Sequence, residues 1–442
     1  MGLVVRIVLN NLIYSPDAES FIIWARYLAD GNSISRLYET LPGNFLPYPP
    51  VYYYLLKIIG EMASIFNIWQ SLWLSYLIVK LPVFIADVTI AVIIYLMTRS
   101  FASDKESLVA SAFYFLNPAV IYITSVWGQI DSLVIMTGVL SLYLFFKKQY
   151  QLSFLSYSLG VLLKPHLLAI APLIVVLALT LKKKEIITGV AVVFLTSLVV
   201  FMPILASKGF LWTVKYFYQL PHQYPYTSVY AYNVWAPLGF IISDDFKFLL
   251  PIALKLFSIL IIATISLLIV RPFIFARRTP WTISPRMNAN ANTYFRGLKY
   301  LIAHVNLKGI PRPFRSSTVR LRPNRPRKFI RRFRPNLKTA LFVAFLLFFN
   351  FALFSTRIHS RYLIYSLGLL APFTFKFPKF TIFFTFLMFA NLLLPNKEPI
   401  LAKVVIILNR TEVVWLFTIY GTVLFIVSLK MYRKFLRENR KL

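Results

Sequence analysis

Cysteine is absent from the 442 residues, which excludes disulfides, thiol nucleophiles and thiolate metal sites. Histidine is nearly as scarce. The four present, at 166, 222, 304 and 359, are too scattered to suggest a zinc site built from neighbouring pairs. Acidic residues number 15 against 48 Lys and Arg, and charged residues of every kind make up 14% of the chain. A soluble globular domain carries about a quarter. Water is therefore not the main solvent of these side chains.

What is present agrees with that. The chain is 58% hydrophobic and 17% aromatic, with a mean hydropathy of +0.68. Runs such as "LPVFIADVTIAVIIYLM", "IITGVAVVFLTSLVVFMPIL" and "LLPIALKLFSILIIATISLLIV" approach the roughly 20 residues needed to cross a bilayer core. The composition predicts an all-α polytopic membrane protein of about twelve transmembrane helices, with outer loops that carry amphipathic helices.

The net charge of +33 has to be read loop by loop. With a cytoplasmic N-terminus, the first helix ends near Tyr14 and residues 15–78 form an outer loop. Further spans follow at about 79–98, 107–123, 129–147, 150–163, 166–181, 186–206, 248–272, 339–356, 361–376, 378–395 and 411–429. This arrangement puts Arg99/Lys105, Lys147/Lys148, Lys182 to Lys184, the block 273–337, Lys376/Lys379 and the tail "KMYRKFLRENRKL" on one side, as the positive-inside rule requires. Most acids fall on the other. The organisation is thus an N-terminal transmembrane module at 1–272, which also holds most of the candidate site residues, a basic cytoplasmic loop at 273–337, and C-terminal helices with a basic tail at 338–442.

Two stretches fit poorly. "GLVVRIVLNNLIY" is shorter than a span, so the first helix is expected to start upstream of Met1 or to be a half-helix. Residues 271–338 hold about eighteen Lys and Arg with no acid and many prolines. They read as a disordered, solvated loop touching anionic membrane lipid, at about 1 kcal/mol per nearby cation. A shifted reading frame is the other explanation. Nucleic acid is not an expected partner, because no fold or repeat accompanies the charge.

Five constellations carry chemistry. In "SPDAESFIIWARYLADG", Phe21, Trp24, Ala25 and Leu28 recur at helical spacing, predicting an amphipathic interfacial helix with Asp17 near its N-terminus. Asp17 is then either a carboxylate favoured by the helix dipole or a general base for an attacking hydroxyl, with Glu19 as its neighbour. "NPAVIYITSVWGQIDSL" places Trp127, Gln129 and Asp131 between two spans, as a polar turn or as a sugar site with Trp127 stacking and the other two bonding hydroxyls. "LLKPHLLAIAPL" sets Lys164 and His166 between apolar runs, where ionisable groups are functional candidates unless the lysine snorkels. "PHQYPYTSVYAYNVWAPLGF" offers Asn233 and Trp235 among tyrosines, for carbohydrate recognition or as an interfacial belt.

The fifth is "STRIHSRYLIYSLGLL" at 355–370. A helix would align Arg357 with Arg361; an extended strand would align both with His359. Either predicts a cationic pocket at the edge of hydrocarbon, and a guanidinium fork matches a phosphate. A carboxylate base, sugar-stacking rings and cations at one membrane face suit a donor that is a lipid phosphate bearing a sugar.

These residues, with "YPPVYYYLL" at 48–56 and "KLPVFIADV" at 80–88, occur in the order found in GT-C superfamily membrane glycosyltransferases. The chain resembles the branch related to the second GPI mannosyltransferase, over nearly its whole length except the basic block. "WGQIDSL" together with "TRIHSRYL" is the specific pair; "YPP" alone is weak. The resemblance implies a GT-C bundle and an inverting transfer from a dolichyl or other polyprenyl phosphate sugar, commonly mannose, to a lipid-linked, glycan or membrane acceptor. It implies Asp17 as catalytic base with Glu19 next to test, and Arg361, His359, Arg357 and Lys164 around the donor phosphate. Trp127, Gln129, Asp131, His166, Asn233, Trp235 and Tyr362 are then expected around sugar or acceptor. The chain departs from the family at Ser360, where Glu is usual, and at Tyr230, often Asn.

The resemblance makes no cofactor certain. Use of a divalent metal is left open, because Asp17, Asp131 and Asp244/Asp245 are acids that could meet. The setting implied is a prokaryotic, archaeal-type cell membrane, or the ER membrane in a eukaryote. The rival function is a transporter or flippase of a lipid-linked or anionic substrate, although no internal repeat of the transporter kind is visible. An oligosaccharyltransferase would carry a large outer C-terminal domain in place of the short basic tail.

Overall fold

The computed structural model describes residues 1–11, 15–40, 46–249, 252–275, 336–395 and 401–441. The expectation of disorder, and of lipid contact, for the basic loop falls almost wholly outside the described residues. At its edges the chain is helical, through Phe275 on one side and from Leu337 on the other.

Helices dominate. In order they are α1 (Gly2–Val8), α2 (Pro16–Ala29), α3 (Ile34–Thr40), α4 (Val51–Ile65), α5 (Leu72–Thr98), α6 (Asp104–Phe115), α7 (Pro118–Ile121), α8 (Asp131–Phe146), α9 (Tyr150–Leu163), α10 (Ala171–Ala178), α11 (Lys183–Gln219) and α12 (Leu254–Phe275). The chain resumes with α13 (Leu337–Phe354), α14 (Ile364–Leu370), α15 (Pro378–Leu393), α16 (Ala402–Leu408) and α17 (Thr411–Lys441). Strands Lys247–Leu249 and Ile252–Ala253 pair antiparallel in the loop before α12.

Among the described residues, six helical segments are long and apolar enough to cross a membrane: Leu72–Thr98, Asp104–Trp127, Lys183–Gln219, Leu254–Ile274, Leu337–Phe354 and Thr411–Glu438. This is the architecture of a polytopic helical membrane protein. The figure of about twelve spans additionally counts α1 and five shorter apolar helices of 10–17 residues. Among the boundaries that differ from expectation, α5 begins at Leu72 rather than 79, α12 at Leu254 rather than 248, and α17 reaches Lys441 rather than 429, whereas α11 kinks at Gly209, close to the expected end at 206, before a second helical stretch to Gln219. The apolar segments of α5 and α17 continue into amphipathic turns, which hydropathy alone cuts off.

The core forms around α13, buried on nearly all sides by α12, α14 and α17. A second packed group is α5, α8 and α9, while α11 leans on α9 and leaves most of its apolar surface exposed. Within α11, Gly209 at φ 78° and ψ 169° breaks the helical path, a conformation that only glycine adopts readily.

Both ends of the bundle have a distinct character. At one end Arg99 pairs with Asp104 at 2.7 Å and Lys376 with Glu438 at 3.2 Å. Lys338 lies there over the rings of Phe101 and Phe435. These contacts bring together the C-terminal ends of α5 and α17 and the start of α13. The opposite end holds the chemistry.

Candidate active site

The helix carrying Asp17 is fixed locally. Ser15 caps α2 by accepting from the Ala18 N–H at 3.2 Å, and Pro16 occupies the first helical position, where its missing N–H costs nothing. Phe21, Trp24, Ala25 and Leu28, the face expected to be apolar, are all buried, but against α4 and α5 rather than lying free at an interface. Asp17 stays half-buried and Glu19 is exposed.

The second arm of the site is the turn after α7. Residues Tyr122–Trp127 form a wide helical turn with i to i+5 bonding that ends at Gly128 in a left-handed conformation, φ 75°. Such bulges release carbonyls and re-aim side chains. Here the turn delivers Trp127 and Gln129 to Asp17. Trp127 Nε1 donates to Asp17 Oδ2 at 2.6 Å, and Gln129 Nε2 donates to the same oxygen. Asp17 Oδ1 has no hydrogen bond among the described residues.

One turn into bundle depth lies a buried ionic cluster. Asp131 Oδ1 accepts from Lys164 Nζ at 2.6 Å and from the Tyr365 hydroxyl, while Arg361 Nε stands 3.6 Å from Asp131 Oδ2. That last separation is an ion pair without a hydrogen bond, and the Arg361 guanidinium makes none to any described residue. Arg361 also sits 5.3 Å from the Trp127 ring and 5.7 Å from the Tyr362 ring. Trp127 therefore links the Asp17 carboxylate to the Arg361 cation.

His359 packs edge-on against Trp127 at 5.6 Å, with its Nδ1 3.1 Å from the Ser360 hydroxyl. Burial, and then the charges of Arg361 and Lys164, hold its imidazole well below the usual range, so it is neutral. The His166 ring lies tilted 4.1 Å from that of Tyr362 and stacks on Tyr365 at 5.8 Å. Lys164 does not snorkel: it is buried between the Tyr48 and Tyr362 rings.

The expected cationic pocket is thereby corrected. Asp17 and Asp131 carry two negative charges against the two positive charges of Lys164 and Arg361. Uncompensated cations in low dielectric would cost several kcal/mol each, and the fold supplies their partners. What remains toward a ligand is the hydrogen-bonding capacity of one guanidinium.

Arg357 is not part of this cluster. It adopts a left-handed backbone conformation, φ 62°, so the segment is neither the helix nor the strand expected. Its side chain turns to Asp244 instead, with Nε and Nη2 donating at 2.9 and 3.0 Å to the two carboxylate oxygens. Asn233 and Trp235 are also placed elsewhere. Asn233 Nδ2 donates to the carbonyls of Thr227 and Ser355, and Trp235 Nε1 to that of Phe354 at 2.7 Å. Both are buried, stitching the loop 224–245 onto the end of α13. Backbone bonds from Val229 N to Ile358 O and from Ser360 N to Val229 O continue the seam.

The expectation that Asp17, Asp131 and Asp244/Asp245 could share a metal fares similarly: among the described residues no three His, Cys, Asp or Glu side chains gather as a metal-binding group. Sequence reasoning passed over Tyr48 and Tyr365. Tyr365 follows Arg361 by one turn, a spacing that could have paired them. Tyr48 lies in the quoted "YPP", and burial, then the charge of Asp17, pushes its phenol well up.

No protein-family model and no curated protein matches the chain. Function has to be argued from the site itself.

Proposed function

We propose that the chain is an inverting glycosyltransferase of the GT-C type. In this reading it moves a hexose, mannose first among the candidates, from a polyprenyl or dolichyl phosphate to a hydroxyl on a lipid-linked, glycan or other membrane acceptor. The observation that carries this is the pairing of a half-buried carboxylate with a guanidinium across one indole. Two N–H donors hold Asp17 by Oδ2, leaving Oδ1 for an incoming hydroxyl. Arg361, on the other side of Trp127, keeps its terminal nitrogens for a departing phosphate.

The chemistry then runs in one displacement. Asp17 accepts the acceptor proton as the oxygen bonds to C1 of the sugar. The bond from C1 to the phosphate oxygen breaks on the opposite face, and the lipid phosphate leaves with its electron pair toward Arg361. A neutral His359 suits this site, since it can donate or accept without adding charge. Lys164 serves by neutralising Asp131, which would otherwise claim Arg361 outright. The lipid tail lies among the bundle helices, and the site faces the outer or luminal side, opposite the basic ends. All twelve predicted spans belong to this reading, as does an archaeal-type cell membrane or the ER.

The test is sugar transfer in proteoliposomes from synthetic polyprenyl phosphate mannose or glucose, with a lipid extract as acceptor. Wild type should transfer, and Asp17→Asn should lose at least 100-fold, the order that removing a general base reaches. Unchanged thermal stability would assign the loss to chemistry. Consumption of neither donor would turn attention to transport.

A further inference from the structure

Lys80 is a buried cation that this mechanism does not use. It sits on α5 with its side chain fully buried, and no carboxylate lies within ion-pair distance of it among the described residues. Its ammonium donates instead to two backbone carbonyls, Asn10 O at 2.5 Å and Ser125 O at 2.6 Å. Both are carbonyls that regular α-helical bonding leaves over. Asn10 belongs to the single 3-10 turn after α1, and Ser125 to the wide turn 122–127.

Ser125 lies in the turn that delivers Trp127 and Gln129, and Asn10 lies in the turn five positions before the Ser15 cap, ahead of Asp17. The Ser15 hydroxyl bonds the Trp127 carbonyl and closes the same junction from the other side. Contact is tight. A Cβ on Gly128 would stand 2.7 Å from Lys80 Cε and 3.1 Å from the Ala18 Cβ, so the lysine stem, the turn and α2 meet at one point. Seven residues along the same helix, Asp87 repeats the arrangement, pairing with Arg6 of α1 at 2.8 Å and accepting from Ser132 of α8 at 2.6 Å.

We infer that Lys80 is a positioning residue: its ammonium sets the separation of the Asp17 segment from the Trp127–Gln129 turn and so fixes the carboxylate for catalysis. The catalytic part of this inference rests on the glycosyltransferase reading. The positional part does not.

The experiment uses full-length protein labelled with 5-fluorotryptophan in lipid nanodiscs and read by 19F NMR. Eight tryptophans give eight resonances, and Trp127→Phe identifies one. Asp17→Asn, which alters the partner of the indole N–H, defines how that resonance responds to a changed junction. In Lys80→Met it should move the same way while the others stay in place, apart from Trp73, whose carbonyl accepts from Asn10 Nδ2 and shares the junction. Lys80→Gln, which keeps an N–H donor without the charge, should fall between and serves if the Met variant does not fold. If wild type transfers sugar, Lys80→Met should lower kcat on the order of 10- to 100-fold with donor KM within about twofold, the expected effect of a small misplacement. A Trp127 resonance at its wild-type position, or shifts spread over all eight, would overturn the inference. Where wild type transfers nothing, the resonance alone decides, so failure of the enzymatic reading is told apart from failure of this one.

Discussion

Asp131 is where the charges of the site are balanced, and Lys164 sets the pH range over which the balance holds. Burial pushes the Lys164 ammonium down to about 8, against the pull of Asp131. Below that pH it neutralises Asp131. Above it, Asp131 has only the Tyr365 hydroxyl and Arg361, and draws the guanidinium away from a phosphate. Donor kcat/KM should therefore show an alkaline limb centred near pH 8 that flattens in Lys164→Arg, whose side chain stays charged. Stability moves the opposite way. A lysine whose folded pKa lies below its unfolded 10.5 makes the unfolded state bind more protons between those values, so this residue's contribution to stability rises over pH 8 to 10.5. A rate that falls while the melting temperature holds or rises supports this account; parallel loss of both would refute it.

Individual residues were legible in the sequence by type more than by partner. Asp17, Trp127, Gln129, Asp131, Lys164 and Arg361 were singled out because polar groups at the edge of apolar runs need a reason to be there. Their pairings were not readable, since Asp17 to Trp127 spans 110 positions and Asp131 to Tyr365 spans 234. The misreading of Arg357 has a local cause. Its positive φ turns the side chain away from Arg361, and periodicity assumes regular backbone.

Helix α2 meets α4 at a close backbone approach. A Cβ at Gly60 of α4 would lie 2.9 Å from the Ala25 carbonyl carbon and 3.2 Å from the Ala29 Cβ, so the two helices touch backbone to backbone. Glycine within a helix gives up about 1 kcal/mol relative to alanine. Overpacking costs about 1–3 kcal/mol, and here the obstacle is backbone that cannot rotate away. The clash should win. Gly60→Ala is expected to lower the melting temperature in detergent and to reduce transfer by tilting α2 and Asp17; a raised melting temperature would show that the contact is looser. Such packing also explains what the sequence could give of this element. The spacing of Phe21, Trp24, Ala25 and Leu28 marks the buried face, but only the fold says that α4 and α5, rather than lipid, cover it.

The bundle segregates its charge along its length, and that segregation was readable because the positive-inside rule acts on each connection separately. Arg99, Lys338 and Lys376 meet at one end, while Asp17, Asp131 and Asp244 lie toward the other. The absence of native cysteine makes this testable without background. Single cysteines at Asp245, Lys148 and Lys379, all exposed, can be challenged with a membrane-impermeant maleimide in sealed right-side-out vesicles. Asp245→Cys should label at once, and Lys148→Cys and Lys379→Cys only after permeabilisation. Labelling of all three from one side would mean that these helices do not separate two compartments, and the outward-facing site would fall with them. A fully inverted pattern would keep the bundle but put the carboxylate and guanidinium on the cytoplasmic face. Nucleotide sugars are at hand there, and the case for a lipid-phosphate donor would lose its geometric reason.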